Sequence, residues 1–379
     1  MIMLDKNKIK ENIEKRICVD VAAGRVGGAQ VCVKQNGEIL YENCFGRSAE
    51  GRELTPDTVF RLASMTKPVT GVAVMKQLER GLVSLDDPLA KFIPEYSEME
   101  IGAVDAEGNI VIKGKAEGKI KILHLLTHTS GVACGDLGGK LGSKLKKEDF
   151  TDLKSVTDAY AKLPISFEPY TAQAYSGTVG FDLLARVVEL TADMPYNEFV
   201  KKEIFDPLEM ADTTFTPSPA QWDRMIHMHN YVDGKAVFYP LSREHIFGNY
   251  PLTYFCGGAG LASTVSDYIK LADMLLGNGV GTNGAKILDE NSVKQMRTVA
   301  VPDYVMPGSQ RWGLTMRVIT DDQYKRLPRN AYGWSGAYGT HFWVDPDNRI
   351  TAVYMKNSNY DGGSGALTAA RFEEDVYLG

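Results

Sequence analysis

The sequence predicts an α+β fold in which one sheet is assembled from both ends of the chain, with a helix-rich stretch between them. Three observations support this. An Asn-Gly turn joins two strand patterns near residue 36, a second strand pair lies near residue 345, and helical periodicity dominates the middle. A length of 379 residues corresponds to roughly two and a half average domains, so one large mixed domain and two lobes about a cleft both fit.

The first hairpin pairs Ala29–Lys34 (AQVCVK) with Glu38–Cys44 (EILYENC) across Asn36-Gly37. Asn-Gly accepts the positive φ angles of a type I′ turn. Pro68–Arg80 repeats apolar residues at Val69, Val72, Ala73 and Leu78, with Gly81 as a stop, and reads as a helix. Val179–Thr191 and Val265–Leu276 carry similar stripes. Gly135–Gly142 (GDLGGKLG) is glycine-dense and reads as a mobile loop, without the G-K-[ST] ending of a phosphate-binding loop. The closing pair is Thr340–Val344 and Arg349–Lys356 around an Asp-Pro-Asp-Asn turn.

Composition narrows the function. Hydrophobic residues at 44% and charged residues at 24% are those of a globular chain with a sizeable core. A net charge of −6 and the lack of a long basic run argue against nucleic-acid binding. Lys140–Lys147 (KLGSKLKK) is followed at once by acidic residues and reads as a solvated face. No apolar run is long enough for a membrane span. The start, MIMLDKNKIKENIEKR, lacks a secretory h-region, so the expected location is cytoplasmic. Five widely spaced cysteines without a C-x-x-C pair fit neither a disulfide framework nor a zinc cage, and reduced core thiols are expected. The pairs His124/His128 and His227/His229 have ligand-like spacing but no Cys/Asp/Glu cluster beside them. All six histidines are read as structural, and neither a metal nor a cofactor is expected.

Three segments could carry chemistry. In Ser64-Met65-Thr66-Lys67, a helical i, i+3 spacing would bring the lysine to the serine hydroxyl, and serine needs such a neighbour to act as a nucleophile. Ser64 at a helix start also has unpaired N–H groups and the helix dipole nearby, which suit an oxyanion. Taken alone, Ser64 equally fits a helix N-cap. A second S-x-x-K, Ser143–Lys146, has no apolar helix behind it. Tyr175-Ser176-Gly177 precedes a helix, where a phenol can face a cleft. A lysine cation beside that phenol would favour the phenolate as a base. Gly333–Thr340 (GWSGAYGT) combines close-approach glycines with Trp334 and Tyr338, or is simply a strand-entry turn. Ser335 resembles a nucleophile elbow, but Ala337 stands where that motif needs glycine.

The order S-x-x-K, Y-S-x, W-S-G resembles the serine β-lactamase and penicillin-binding-protein superfamily, and within it class C β-lactamases and family VIII (EstB-like) carboxylesterases. FRLASMTKP (60–68), GLVSLDDP (81–88), LLTHTSG (125–131), IFDPLEM (204–210) and GGAGLASTVSD (257–267) match that branch too. The resemblance covers roughly residues 20–370. It implies a central antiparallel sheet flanked by helices within one hydrolase domain. An α/β lobe would come from about 1–60 and 255–379, and a mostly helical lobe from about 61–254. It further implies Ser64 as nucleophile, Lys67 as its activator and Tyr175 as base and then acid. The backbone N–H groups of Ser64 and Ala337 would form the oxyanion hole, while Gly177, Trp334, Ser335 and Gly336 would contact substrate.

Two departures from the lactamase pattern matter. Gly177 replaces the asparagine that holds a substrate amide, and Trp334 replaces the lysine that recognises a substrate carboxylate. The expected activity is therefore hydrolysis of small to medium esters through an acyl-enzyme, with weak β-lactam turnover. A β-lactamase, a D-amino-acid peptidase or amidase, an acyltransferase and a non-catalytic binding module are the alternatives. An arginine from elsewhere in the fold could supply the missing cation. The partner is a small-molecule ester or amide, and the oligomeric state is left open.

Overall fold

A computed structural model of the chain describes residues 2–243, 251–363 and 365–378. Its centre is an eight-stranded antiparallel sheet. In spatial order the strands are Gln310–Trp312, Arg317–Ile319, Tyr332–Ser335, His341–Asp345, Ile350–Met355, Gly28–Gln35, Glu38–Ala49 and Arg52–Glu53. Chain-end strands meet at the middle, where Gln30 pairs with Met355 and Gln35 with Ile350. Asn36 (φ 54°) and Gly37 (φ 84°) carry the two positive φ angles of the expected hairpin turn.

Strand alternation gives the sheet two apolar faces. Val31, Val33, Trp343, Ala352 and Tyr354 point to one core, while Cys32, Phe342, Val344, Val353 and Met355 point to the other. The first face is covered by the helices Lys6–Ala22 and Leu367–Tyr377, which pack on each other. The lysine-rich start is thus an amphipathic helix, capped by Asp5, that buries Ile9, Ile13 and Ile17 one turn apart. Its charge-dense outer face masked this periodicity in the sequence. Ile13→Ala should cost about 2–5 kcal/mol, read as a lower urea midpoint. A change under about 0.5 kcal/mol would show that this helix contributes little to the fold.

The opposite face meets the helix Val265–Leu276, and the core continues into the helix-rich middle, where Thr66–Glu79 packs on Val179–Ala192. Gly135–Gly142 is a helix, which corrects the loop expectation. Leu137 and Leu141, spaced i, i+4, are both buried. That burial offsets the roughly 1 kcal/mol that each helical glycine costs against alanine. Lys140–Lys147 is solvent-facing apart from the buried Leu141 and half-buried Gly142 and Leu145. All five cysteines are free, but Cys18 is exposed and Cys44 only half-buried, so the core-thiol expectation holds for Cys32, Cys134 and Cys256. Among the described residues no helix is long and apolar enough to cross a membrane.

Candidate active site

The helix Thr66–Glu79 begins beside the end of the interior strand Tyr332–Ser335, and a single 3-10 turn, Ala63–Met65, leads into it. Ala63 takes φ 47°, a left-handed conformation that costs a non-glycine residue about 1–2 kcal/mol. The turn is clamped from the sheet side. Thr340 Oγ1 donates to Leu62 O at 2.8 Å, and Gly336 lies so close that a Cβ there would stand 2.2 Å from the same carbonyl. Only glycine fits. This contact brings the end of strand Tyr332–Ser335 beside Ser64.

Lys67 lies one turn beyond Ser64 and is fully buried. Its ammonium donates to Ser64 Oγ at 3.1 Å, Gly177 O at 2.5 Å and Gly258 O at 2.8 Å, which uses all three of its hydrogens. Tyr175 approaches from the other side and donates to Ser64 Oγ at 2.8 Å. The lysine nitrogen sits 4.9 Å from the Tyr175 ring centroid. The end of strand Tyr332–Ser335, the helix Thr66–Glu79 and the entry to Val179–Ala192 thus bring Tyr175 to Lys67 and to Ser64, 111 residues away in the chain.

His128 sets the position of Tyr175. Its Nδ1 accepts from the Ser176 N–H at 3.1 Å, and its ring lies 4.5 Å from the Tyr175 ring. Burial, with a smaller contribution from nearby Lys67, pushes its pKa well down, so the ring stays neutral and able to accept. His124 and His229 hold backbone N–H groups. His124 Nδ1 accepts from Lys121 N, and His229 Nε2 from Gly27 N. His245 lies outside the described residues. No group of three or more His, Cys, Asp and Glu is placed to hold a metal among the described residues.

Ser64 and Tyr175 open into a cavity of about 360 Å³. Trp312, Trp334 and Met306 give it an apolar wall, and Ser335 and Ala337 lie on the same rim. The two indoles are 4.5 Å apart, and Tyr175 lies 5.5 Å from Trp334. Both indole N–H groups are buried without a hydrogen-bond partner among the described residues. Gly177 is different, for a Cβ there would meet nothing within 4 Å. The absence of a Cβ at this position is therefore not a steric necessity.

Sequence reasoning left open an arginine and did not locate it. Arg317 lies on the cavity wall, because strand register places it opposite Trp312 on one side and Gly333 on the other. Its guanidinium donates to Glu373 Oε1 at 2.9 Å and Gln310 Oε1 at 2.7 Å. Trp312 and Gln310 were missed for the same reason. Their strand is only three residues long, too short for a period-2 signal.

The β-lactamase family model matches residues 13–374. The chain belongs to the β-lactamase family. Within it, the chain is 31% identical over 354 residues to Protein Rv1367c of Mycobacterium tuberculosis, covering 88% of this chain and 86% of that protein. It is 28% identical over 376 residues to Esterase EstB of Burkholderia gladioli, covering 91% and 90%. Among solved structures, EstCE1, described as a hydrolase with promiscuous acyltransferase activity, superposes with a TM-score of 0.81 at 22% identity, covering 98% of this chain and 99% of that one. The expected α+β β-lactamase fold, with its antiparallel sheet drawn from both chain ends, is therefore the observed one. The protein is a serine hydrolase of this family.

Proposed function

We propose that this β-lactamase-family hydrolase is a carboxylesterase that forms an acyl-enzyme on Ser64 and prefers small to medium neutral esters. The observation that carries the reading is the cavity wall. Where a carboxylate-binding lysine would stand there is Trp334, backed by Trp312, and Arg317 on that wall is already paired with Glu373. An apolar cavity of about 360 Å³ suits a small acyl or alcohol group. Similarity to Esterase EstB over nearly the whole chain supports the same choice.

In the resting arrangement the Tyr175 phenol donates to Ser64 Oγ. Loss of the phenol proton to water in the cavity gives the phenolate that accepts from the Ser64 hydroxyl, with Lys67 Nζ 4.9 Å from the ring centroid. Ser64 Oγ then attacks the ester carbonyl carbon while its proton passes to Tyr175. The carbonyl oxygen becomes an oxyanion, held by the Ser64 and Ala337 backbone N–H groups. Collapse expels the alkoxide, which takes the proton from Tyr175. Water attacks the acyl-enzyme by the same route, with Tyr175 again base and then acid.

The experiment is a substrate panel. Short-chain p-nitrophenyl esters should show higher kcat/KM than a chromogenic cephalosporin or a D-Ala-D-Ala peptide. A lost charge-assisted hydrogen bond contributes roughly 1.5–3 kcal/mol, about one to two decades against acidic substrates. Trp334→Lys should narrow that gap, and Gly177→Asn should favour amides over esters. Efficient cephalosporin hydrolysis with negligible ester turnover would reverse the assignment in favour of a β-lactamase. Similarity to EstCE1 favours acyl transfer to an alcohol as a second reading, detected as ester exchange in the same assays.

A further inference from the structure

We infer that Ser335 faces the substrate as a hydrogen-bond acceptor because His341 holds its hydroxyl proton, and that this wall selects esters bearing a hydroxyl or N–H donor over esters bearing a carboxylate. The substrate half of this inference rests on the ester-hydrolase reading above, whereas the proton positions do not.

Ser335 lies on the cavity wall with Ser64 and is buried apart from that face. It ends its strand directly opposite His341 in the neighbouring one, and Ser335 Oγ is 2.8 Å from His341 Nδ1. Which of the two atoms donates depends on the ring tautomer. The far side of the ring decides it. His341 Nε2 lies 3.1 Å from Glu373 Oε1, reached from the helix Leu367–Tyr377 that crosses the sheet. The contact is close but bent, a charge–dipole contact rather than a well-aligned hydrogen bond.

Glu373 is ionised. Its carboxylate is surrounded by guanidinium and phenol donors. Arg317 NH2 and Tyr324 OH donate to it at 2.9 and 2.7 Å, and Arg326 Nε lies 3.2 Å away. A bare Nε2 would set its lone pair against this carboxylate, so Nε2 carries the proton. Two guanidinium groups already share the one anion, and a further charge on the buried ring would have no anion left to pair with. A ring protonated at Nε2 alone leaves Nδ1 bare, and Ser335 then donates its only hydrogen to Nδ1. What remains of the hydroxyl toward the cavity is lone pairs. A substrate hydroxyl or N–H finds an acceptor there, while a carboxylate oxygen meets a second acceptor with no proton between them. His341 thus acts as a positioning residue, and Ser335 sets specificity.

Two measurements test this. In the full-length protein with 15N-labelled histidine, imidazole NMR should show His341 neutral and protonated at Nε2, with His341→Gln identifying its signals. A proton at Nδ1, whether in the other tautomer or in an imidazolium, would overturn the inference. Kinetics then use three p-nitrophenyl esters of matched length: butyrate, 3-hydroxybutyrate and hemisuccinate. Wild type should favour the hydroxy ester over the hemisuccinate. His341→Phe frees the Ser335 proton and should lower that ratio of kcat/KM about tenfold, the scale of one hydrogen bond gained or lost. Ser335→Ala should lose the preference for the hydroxy ester over butyrate, and Ser335→Thr should keep it. Ratios unchanged in both His341→Phe and Ser335→Ala would also overturn the inference. Absence of butyrate turnover by the wild type would instead count against the esterase reading, leaving the NMR result to decide the proton positions.

Discussion

Ser64→Ala is expected to remove the pre-steady-state burst of p-nitrophenol and to lower kcat on the order of 10⁶-fold, the effect of deleting a hydrolytic serine. The geometry leaves no substitute. Tyr175 at 2.8 Å and Lys67 at 3.1 Å both converge on the Ser64 oxygen. Ser143→Ala should behave as wild type, because the Ser143 hydroxyl is exposed and donates to Lys140 O, away from the cavity. Far-UV circular dichroism of the Ser64→Ala protein should match wild type. A folded Ser64→Ala enzyme that retains the burst would remove Ser64 from the mechanism.

Tyr175→Phe is expected to lower kcat by about 10²–10⁴ with a much smaller change in KM. Phenylalanine preserves the ring contacts with His128 and Trp334 at 4.5 and 5.5 Å and removes only the hydroxyl. The loss should therefore fall on proton transfer rather than on binding. Turnover within a few-fold of wild type would move the base role to Lys67, acting as the neutral amine 3.1 Å from Ser64 Oγ. An increase in KM with kcat unchanged would make Tyr175 a binding group instead.

Features set by local periodicity and turn chemistry were legible in the sequence. The Asn36-Gly37 hairpin, the helix Val265–Leu276 and the spacing of Ser64 and Lys67 all depend on neighbouring residues. The amphipathic helix Lys6–Ala22 was equally local, but its lysines and glutamates drew attention away from Ile9, Ile13 and Ile17. Glycine content likewise hid the Leu137/Leu141 pair. What could not be read was whatever depends on register between distant strands. Arg317 joins the cavity only because it pairs with Trp312 and Gly333, and Glu373 reaches His341 only because the last helix crosses the sheet. His128 is an instructive case. The sequence reads it as structural, yet its contact with Ser176 N is what sets Tyr175. Nothing in a Thr-His-Thr-Ser segment announces that contact without the fold around it.

The most direct measurement is the site of covalent labelling. The purified protein would be treated with a fluorophosphonate, digested, and mapped by tandem mass spectrometry. The account predicts a single phosphonyl adduct on Ser64, blocked by prior incubation with a slowly hydrolysed ester. Modification of another serine with Ser64 left unlabelled, Ser335 above all since it shares the cavity wall, would contradict it.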